Sequence, residues 1–189
     1  EGQFVAQCVD VIDMGEELSE FPGKPPKLMP KVAFVYRSGE KNEDDHFIDV
    51  VAEFTVSLGD LANLRKYLEQ WRGKPLTPDQ IADGVPLEKM EGTWALLGIA
   101  QKPSKKGRTY AVIVSAVGVP KAMQGSLTPY VGYTRPKYLI EKKEKNAHAA
   151  AEFRMSIGAQ PSGSVGDPGP QEPEDDFMGG PITEDDLPF

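Results

Sequence analysis

From Ser156 to Phe189 the chain carries eight acidic residues and not one lysine or arginine. Runs such as Gln160-Pro161-Ser162-Gly163-Ser164 and Gly166-Asp167-Pro168-Gly169-Pro170-Gln171-Glu172-Pro173 offer too little apolar surface to offset the entropy of ordering them. The sequence therefore predicts two parts, a folded body over residues 1–155 and a disordered acidic tail over residues 156–189. A body of about 155 residues is one ordinary domain, able to bury roughly two-thirds of its unfolded surface.

Within the body the strongest signals are β-strands. Phe4 to Ile12 is Val-rich and alternates imperfectly, Lys31 to Arg37 is a short apolar run, and Phe47 to Leu58 places Ile48, Val50, Ala52, Phe54 and Val56 on one side. The breaker Phe21-Pro22-Gly23-Lys24-Pro25-Pro26 separates the first two, and the polar loop Ser38 to Asp45 the second and third. A helix follows, with Asp60 as N-cap, Leu61, Leu64, Leu68 and Trp71 on one face, and Gly73 as its stop. Thr77-Pro78-Asp79-Gln80 opens a second short helix, with a capping pattern and Pro at the first helical position. Strands resume at Thr93 to Gln101 and Arg108 to Val119, and a charged helix is expected over Glu141 to Arg154, with Glu141 pairing Lys145.

Three strands, a helical connection and two more strands make a mainly β fold, a five-stranded OB-fold barrel with a helical connection between strands 3 and 4. An SH3-like or other small barrel fits the same pattern. Such sheets bind single-stranded nucleic acid or oligosaccharide at their face and at the loop between the fourth and fifth strands. Fold alone does not choose between these ligands.

Charge does. Residues 1–94 hold 10 Lys/Arg and 18 Asp/Glu, residues 95–155 hold 11 and 3, and the tail returns to a balance of −8. The basic segment includes Lys102, Lys105, Lys106 and Arg108 at the fourth-to-fifth loop, Tyr110 just inside the strand, and then Tyr130, Tyr133, Arg135, Lys137 and Tyr138. Interleaved aromatic rings and cations suit a single strand, whose bases stack on rings while its phosphates follow cations. Phe34 and Tyr36 share one face of the second strand and add a candidate stacking platform. Each group has a plainer reading: the tyrosines as packing for a long loop, the loop cations as a solvated hairpin tip, Phe34 and Tyr36 as core. An objection comes from the third strand, where Asp49 and Glu53 would face a bound strand and repel its phosphates.

The tail ends in Asp185-Asp186-Leu187-Pro188-Phe189. An aromatic and apolar anchor beside carboxylates fits a basic-rimmed apolar pocket on another protein. Glu174-Asp175-Asp176-Phe177 repeats the pattern internally and is expected to be secondary. An Asp-Asp-Leu-Pro-Phe ending behind an acidic Gly/Pro-rich linker resembles the tip of bacterial and phage single-stranded-DNA-binding proteins. Strand order and the segment Trp71 to Pro78 add a looser likeness to phage-encoded members. The resemblance implies an OB-fold body that holds the strand, and a tip of Asp185, Asp186, Leu187, Pro188 and Phe189 that recruits replication and repair proteins. The expected partners are thus single-stranded DNA and tip-binding proteins, with a homo-oligomer possible. A protein-interaction adaptor that binds no DNA is the alternative, and a metal-dependent nuclease a more distant one.

Enzyme signatures are thin. Gly23-Lys24 and Gly73-Lys74 are each followed by Pro, so neither makes a phosphate-cradling P-loop, and the chain has no nucleophile elbow and no Cys-x-x-Cys. His46 and His148 are far apart in sequence and read as surface residues. Cys8, the single cysteine, lies in an apolar stretch as a small core residue, compatible with a reducing compartment. Glu40, Glu43, Asp44, Asp45 and Asp49 could in principle hold Mg²⁺, but they sit in a hairpin and read as solvated. No catalytic residue, metal or cofactor is expected. The longest apolar stretch, Tyr110 to Val119, falls short of the roughly 20 residues that span a bilayer, so the expected location is the cytoplasm.

Overall fold

The computed structural model describes residues 2–20, 22–103 and 109–158. In chain order these form β1 (Gly2–Ser19), β2 (Lys27–Lys41), β3 (Phe47–Thr55), α1 (Asn63–Arg72), α2 (Pro78–Ala82), a 3-10 turn over Leu87–Met90, β4 (Trp94–Pro103), β5 (Thr109–Gly118), α3 (Lys121–Gln124) and α4 (Lys137–Ser156). The strands make one antiparallel sheet in the order β3-β2-β1-β4-β5. Strand number, antiparallel pairing and the helical connection between the third and fourth strands match the expectation, but among the described residues no ladder joins β3 to β5. A groove of about 500 Å³ lies between those two strands, lined by Phe54 of β3, Asn63, Tyr67 and Gln70 of α1, and Ile113 and Ser115 of β5.

β1 is the organising strand, pairing with β2 along most of its length and with β4 over Gly2 to Gln7. Its register against β2 shifts between Cys8 and Asp10 and again between Asp13 and Gly15. Because side chains alternate faces with period two, a bulge moves every later residue to the opposite face. Ala6 and Cys8 accordingly join the main core, while Ile12 and Met14 join a second cluster on the other face. This is the physical reason the alternation over Phe4 to Ile12 is imperfect.

The main core lies between the sheet and α1. Phe34, Tyr36, Leu64, Leu68, Trp71 and Leu97 are each at most 2% exposed, and the rings of Phe34, Tyr67 and Trp71 meet at 5.7 to 6.4 Å. Tyr36 and Tyr67 hydrogen-bond to each other through their hydroxyls, and burial pushes both well above the ordinary tyrosine pKa. Cys8 is buried in the same core, where burial raises its thiol pKa.

α1 differs from expectation at its start. Ala62, not Asp60, stands at the N-cap, because the Asp60 carboxylate is taken by the Arg65 guanidinium, and Leu61 is 85% exposed. Its end is as expected, with Gly73 in the left-handed region at φ 69°, where a residue with no Cβ is favoured. α2 carries the full capping box between Thr77 and Gln80.

α4 covers the opposite face of the sheet. Leu139 packs with Ile12, Met14, Ala33 and Val35, Asn146 Nδ2 donates to the Met14 carbonyl at 3.0 Å, and Lys142 and Arg154 pair with Glu53 and Glu16. Glu141 pairs with Lys137 rather than with Lys145. Among the described residues no helix is long and apolar enough to cross a membrane.

Candidate nucleic-acid interface

One row of residues crosses the sheet on the face opposite the main core: Trp94 on β4, Gln7 on β1, Arg37 on β2 and Asp49 on β3, each paired in register with the next. Arg37 sits at 8% exposure and forks onto Asp49, with Nε and an Nη donating at 2.7 and 2.8 Å. That bidentate bond raises the pKa of Arg37 further and neutralises the carboxylate that would otherwise face a bound strand. Glu53, the other expected source of repulsion, is engaged by Lys142. The objection from the third strand therefore carries less weight than the sequence suggests.

Over this row runs the segment after β5. The Tyr130 amide donates to Gln7 Oε1 at 2.8 Å, and the Tyr130 ring lies 5.7 Å from Trp94 and 5.4 Å from Phe47. Gly39 on β2 makes this possible, since a Cβ there would stand 2.8 Å from the Tyr130 hydroxyl. Phe47, at 37% exposure, has the Arg37 guanidinium and the Lys41 ammonium each 5.1 Å from its ring centre. Arg37 is paired with Asp49 and Lys41 with Asp45, so the part of this group that can meet a base is the accessible ring itself, by stacking.

A second site lies at the end of the β4–β5 hairpin. Lys102 and Tyr110 are cross-strand partners and both are exposed, Tyr110 by 52%. Cation and ring thus stand side by side on one face. Lys105, Lys106 and Arg108 lie outside the described residues, as do Asp185, Asp186, Leu187, Pro188 and Phe189.

The other anticipated residues separate into different roles. Phe34 and Tyr36 are 0% exposed; they face α1 and form the core, so neither presents a ring to a base, which corrects the platform expected of them. Tyr133 is half-buried, its ring 5.3 Å from the Arg37 guanidinium, and burial followed by the charge of Asp10 raises its pKa. Arg135 forks onto Asp10 with both bonds at 2.8 Å. These two residues hold the post-β5 segment on the sheet. Lys137 is open to solvent and pairs loosely with Glu141 at 3.5 Å. Tyr130 both packs the segment and extends the aromatic row.

Phe47, Trp94, Arg37 and Lys41 were not singled out from the sequence. A signal for two of them exists: Lys41 and Phe47 flank the turn over Asn42 to His46 and face one another across it. In the acidic hairpin two of the carboxylates are taken up by cations. Asp45 bonds Lys41, which lowers its pKa, Asp49 bonds Arg37, and among the described residues no group of three His, Cys, Asp or Glu side chains is placed to hold a metal ion.

Comparison of the chain with protein-family models, with curated proteins and with solved structures returned no match.

Proposed function

We propose that this protein binds single-stranded DNA without catalysing a reaction on it, coating the strand during replication, recombination or repair in a bacterial cell. The observation that carries this reading is the exposed Phe47 ring beside Arg37 and Lys41, with the Tyr130 ring next to it and the buried Trp94 ring behind Tyr130. The Lys102–Tyr110 pair and the basic sequence of the adjoining hairpin extend the same chemistry. We further read the sheet as an OB-fold barrel. The order β3-β2-β1-β4-β5 leaves β3 and β5 as the two strands that would meet on closure, and α1 connects β3 to β4. The acidic sequence ending in Asp185-Asp186-Leu187-Pro188-Phe189 is then the part that recruits partner proteins.

The test is a fluorescence-anisotropy titration of labelled oligo-dT and of a duplex of equal length, each at low and moderate salt. Tight, salt-sensitive binding of the single strand with little of the duplex is expected, since each phosphate contact contributes about −0.7 to the log-log salt slope. Binding of neither nucleic acid would overturn the reading and leave the tail as the working part of an adaptor.

A further inference from the structure

The two ends of the sheet's interior are filled differently. At one end Leu64, Leu68 and Trp71 of α1 close the core. At the other end a cavity of about 220 Å³ is left, walled by Phe4 of β1, Ile48 and Val50 of β3, Ile99 of β4 and Ala111 of β5, with Ser38, Glu40 and Gln101 at its polar side. All five strands contribute to it. An apolar cavity of about 150 Å³ accepts a benzene ring, so this space is of the size for one aromatic heterocycle.

Resting on the single-strand reading, we propose that this cavity receives one nucleobase, and that Glu40 makes guanine the preferred one. Charge argues for a nucleotide as the occupant. Lys41 follows Glu40 on β2 and Lys102 follows Gln101 on β4, and because strand side chains alternate faces the apolar wall turns inward while a cation stands outside on each flank. A base can enter between the strands while its phosphates remain beside Lys102 on one flank and, on the other, Lys41, which a phosphate would share with the exposed Asp45. Lys102 has its cross-strand partner Tyr110 at the same rim, giving the neighbouring base a ring.

Glu40 supplies the selectivity. Its backbone amide donates to Ser38 Oγ, and among the described residues no cation pairs with its carboxylate. A carboxylate only accepts hydrogen bonds, through two adjacent oxygens. Guanine presents two adjacent donors, its ring N–H and exocyclic amino group, which match that pair in parallel charge-assisted bonds. Thymine places its one ring N–H between two carbonyl oxygens, so a carboxylate there meets lone pairs. Cytosine and adenine set a single amino donor beside a ring acceptor and match only half of it.

The experiment compares the full chain's affinity for oligo-dT with that for equal-length dT strands carrying guanine, or adenine, at every fourth position. The guanine strand is expected to bind about tenfold tighter than oligo-dT, the size of one bidentate base contact, with the adenine strand between them. Glu40→Gln should remove the preference and leave oligo-dT affinity in place. Ala111→Phe, which fills the cavity without touching Glu40, should do the same, with the melting temperature of each variant showing that it folds. Equal affinity for the three strands, or a guanine preference that survives both variants, would overturn the proposal while leaving single-strand binding intact. Failure to bind any strand would overturn both.

Discussion

The sheet carries two outward regions that are treated oppositely by the rest of the fold. Over β1, β2 and β3 the face bearing Ile12, Met14, Ala33 and Val35 is sealed by α4, and its carboxylates Asp10, Glu16 and Glu53 are each met by a cation from the C-terminal part of the chain. Over β4 and β5 nothing comparable among the described residues covers the sheet, and Tyr110, Val114 and Val117 are 52%, 57% and 45% exposed. The basic segment read from the sequence is thus partly consumed in holding the protein's own helix. Cations count toward ligand binding only where the fold has not already paired them, and that shifts attention from Arg135 and Lys142 to Lys102.

The contrast between sealed and open regions is broken most severely in the core. Trp71→Ala removes the largest fully buried side chain and should cost about 3–5 kcal/mol in urea unfolding, whereas Ile48→Ala at the open rim should cost under about 1 kcal/mol. Similar losses for both would mean that the rim is as tightly packed as the α1 end. Next, Arg37→Ala leaves Asp49 half-covered with no partner and should destabilise by about 2–3 kcal/mol. The double variant Arg37→Ala/Asp49→Ala should recover part of that loss.

Alkaline titration addresses the sealed core through its tyrosines. Tyr36 and Tyr67 have raised pKa values in the folded state, so the unfolded chain gives up protons first as pH rises past the ordinary tyrosine value of about 10. Stability from these groups is complete below that pH and should fall above it by up to about 1.4 kcal/mol per pH unit for each group. Cys8, also raised, should begin this decline nearer pH 9, a value about that of a free thiol. Unfolding free energies measured from pH 8 to pH 11 should therefore slope downward, and Tyr36→Phe/Tyr67→Phe should flatten the part above pH 10. An unchanged slope in that variant would place the titration elsewhere.

On the open region the effects are on affinity. Phe47→Ala should weaken oligo-dT binding by about 1–3 kcal/mol, the contribution of one stacked base, with little change in melting temperature. Lys102→Ala is the mildest change and should reduce the salt slope by about 0.7, one phosphate contact on a single strand. If Lys102→Ala proved the larger of the two, binding would centre on the hairpin rather than on the aromatic row.

Much of this arrangement was legible in the sequence, and the parts that were not share a cause. Strand positions, the Gly73 stop and the Thr77 capping box follow from local preference, and the structure keeps them. That Phe34 and Tyr36 lie on one face was readable from alternation, but which face meets α1 was not, because period two marks sides without labelling them inside or outside. The Asp60 cap failed because a neighbouring arginine competed for the carboxylate. The pair Asp10–Arg135 joins the two ends of the body, and no local pattern announces a contact at that separation.

β1 also sets an order of assembly. Its pairing with β2, and that of β2 with β3, joins neighbours in sequence, whereas the ladder from Gly2↔Ile99 to Gln7↔Trp94 must draw together segments separated by the whole of β2, β3 and α1. Loop-closure entropy makes such a ladder the slow step of folding. Until it forms, the β4–β5 hairpin has only its own two strands, a pairing marginal in water by itself. Val5→Ala and Leu96→Ala should therefore slow refolding, and Val51→Ala, on a meander already formed at that step, should leave the unfolding rate nearly unchanged. The strand end that completes the sheet is also the end that walls the cavity with Phe4, so the last region to assemble is the one that would meet the ligand.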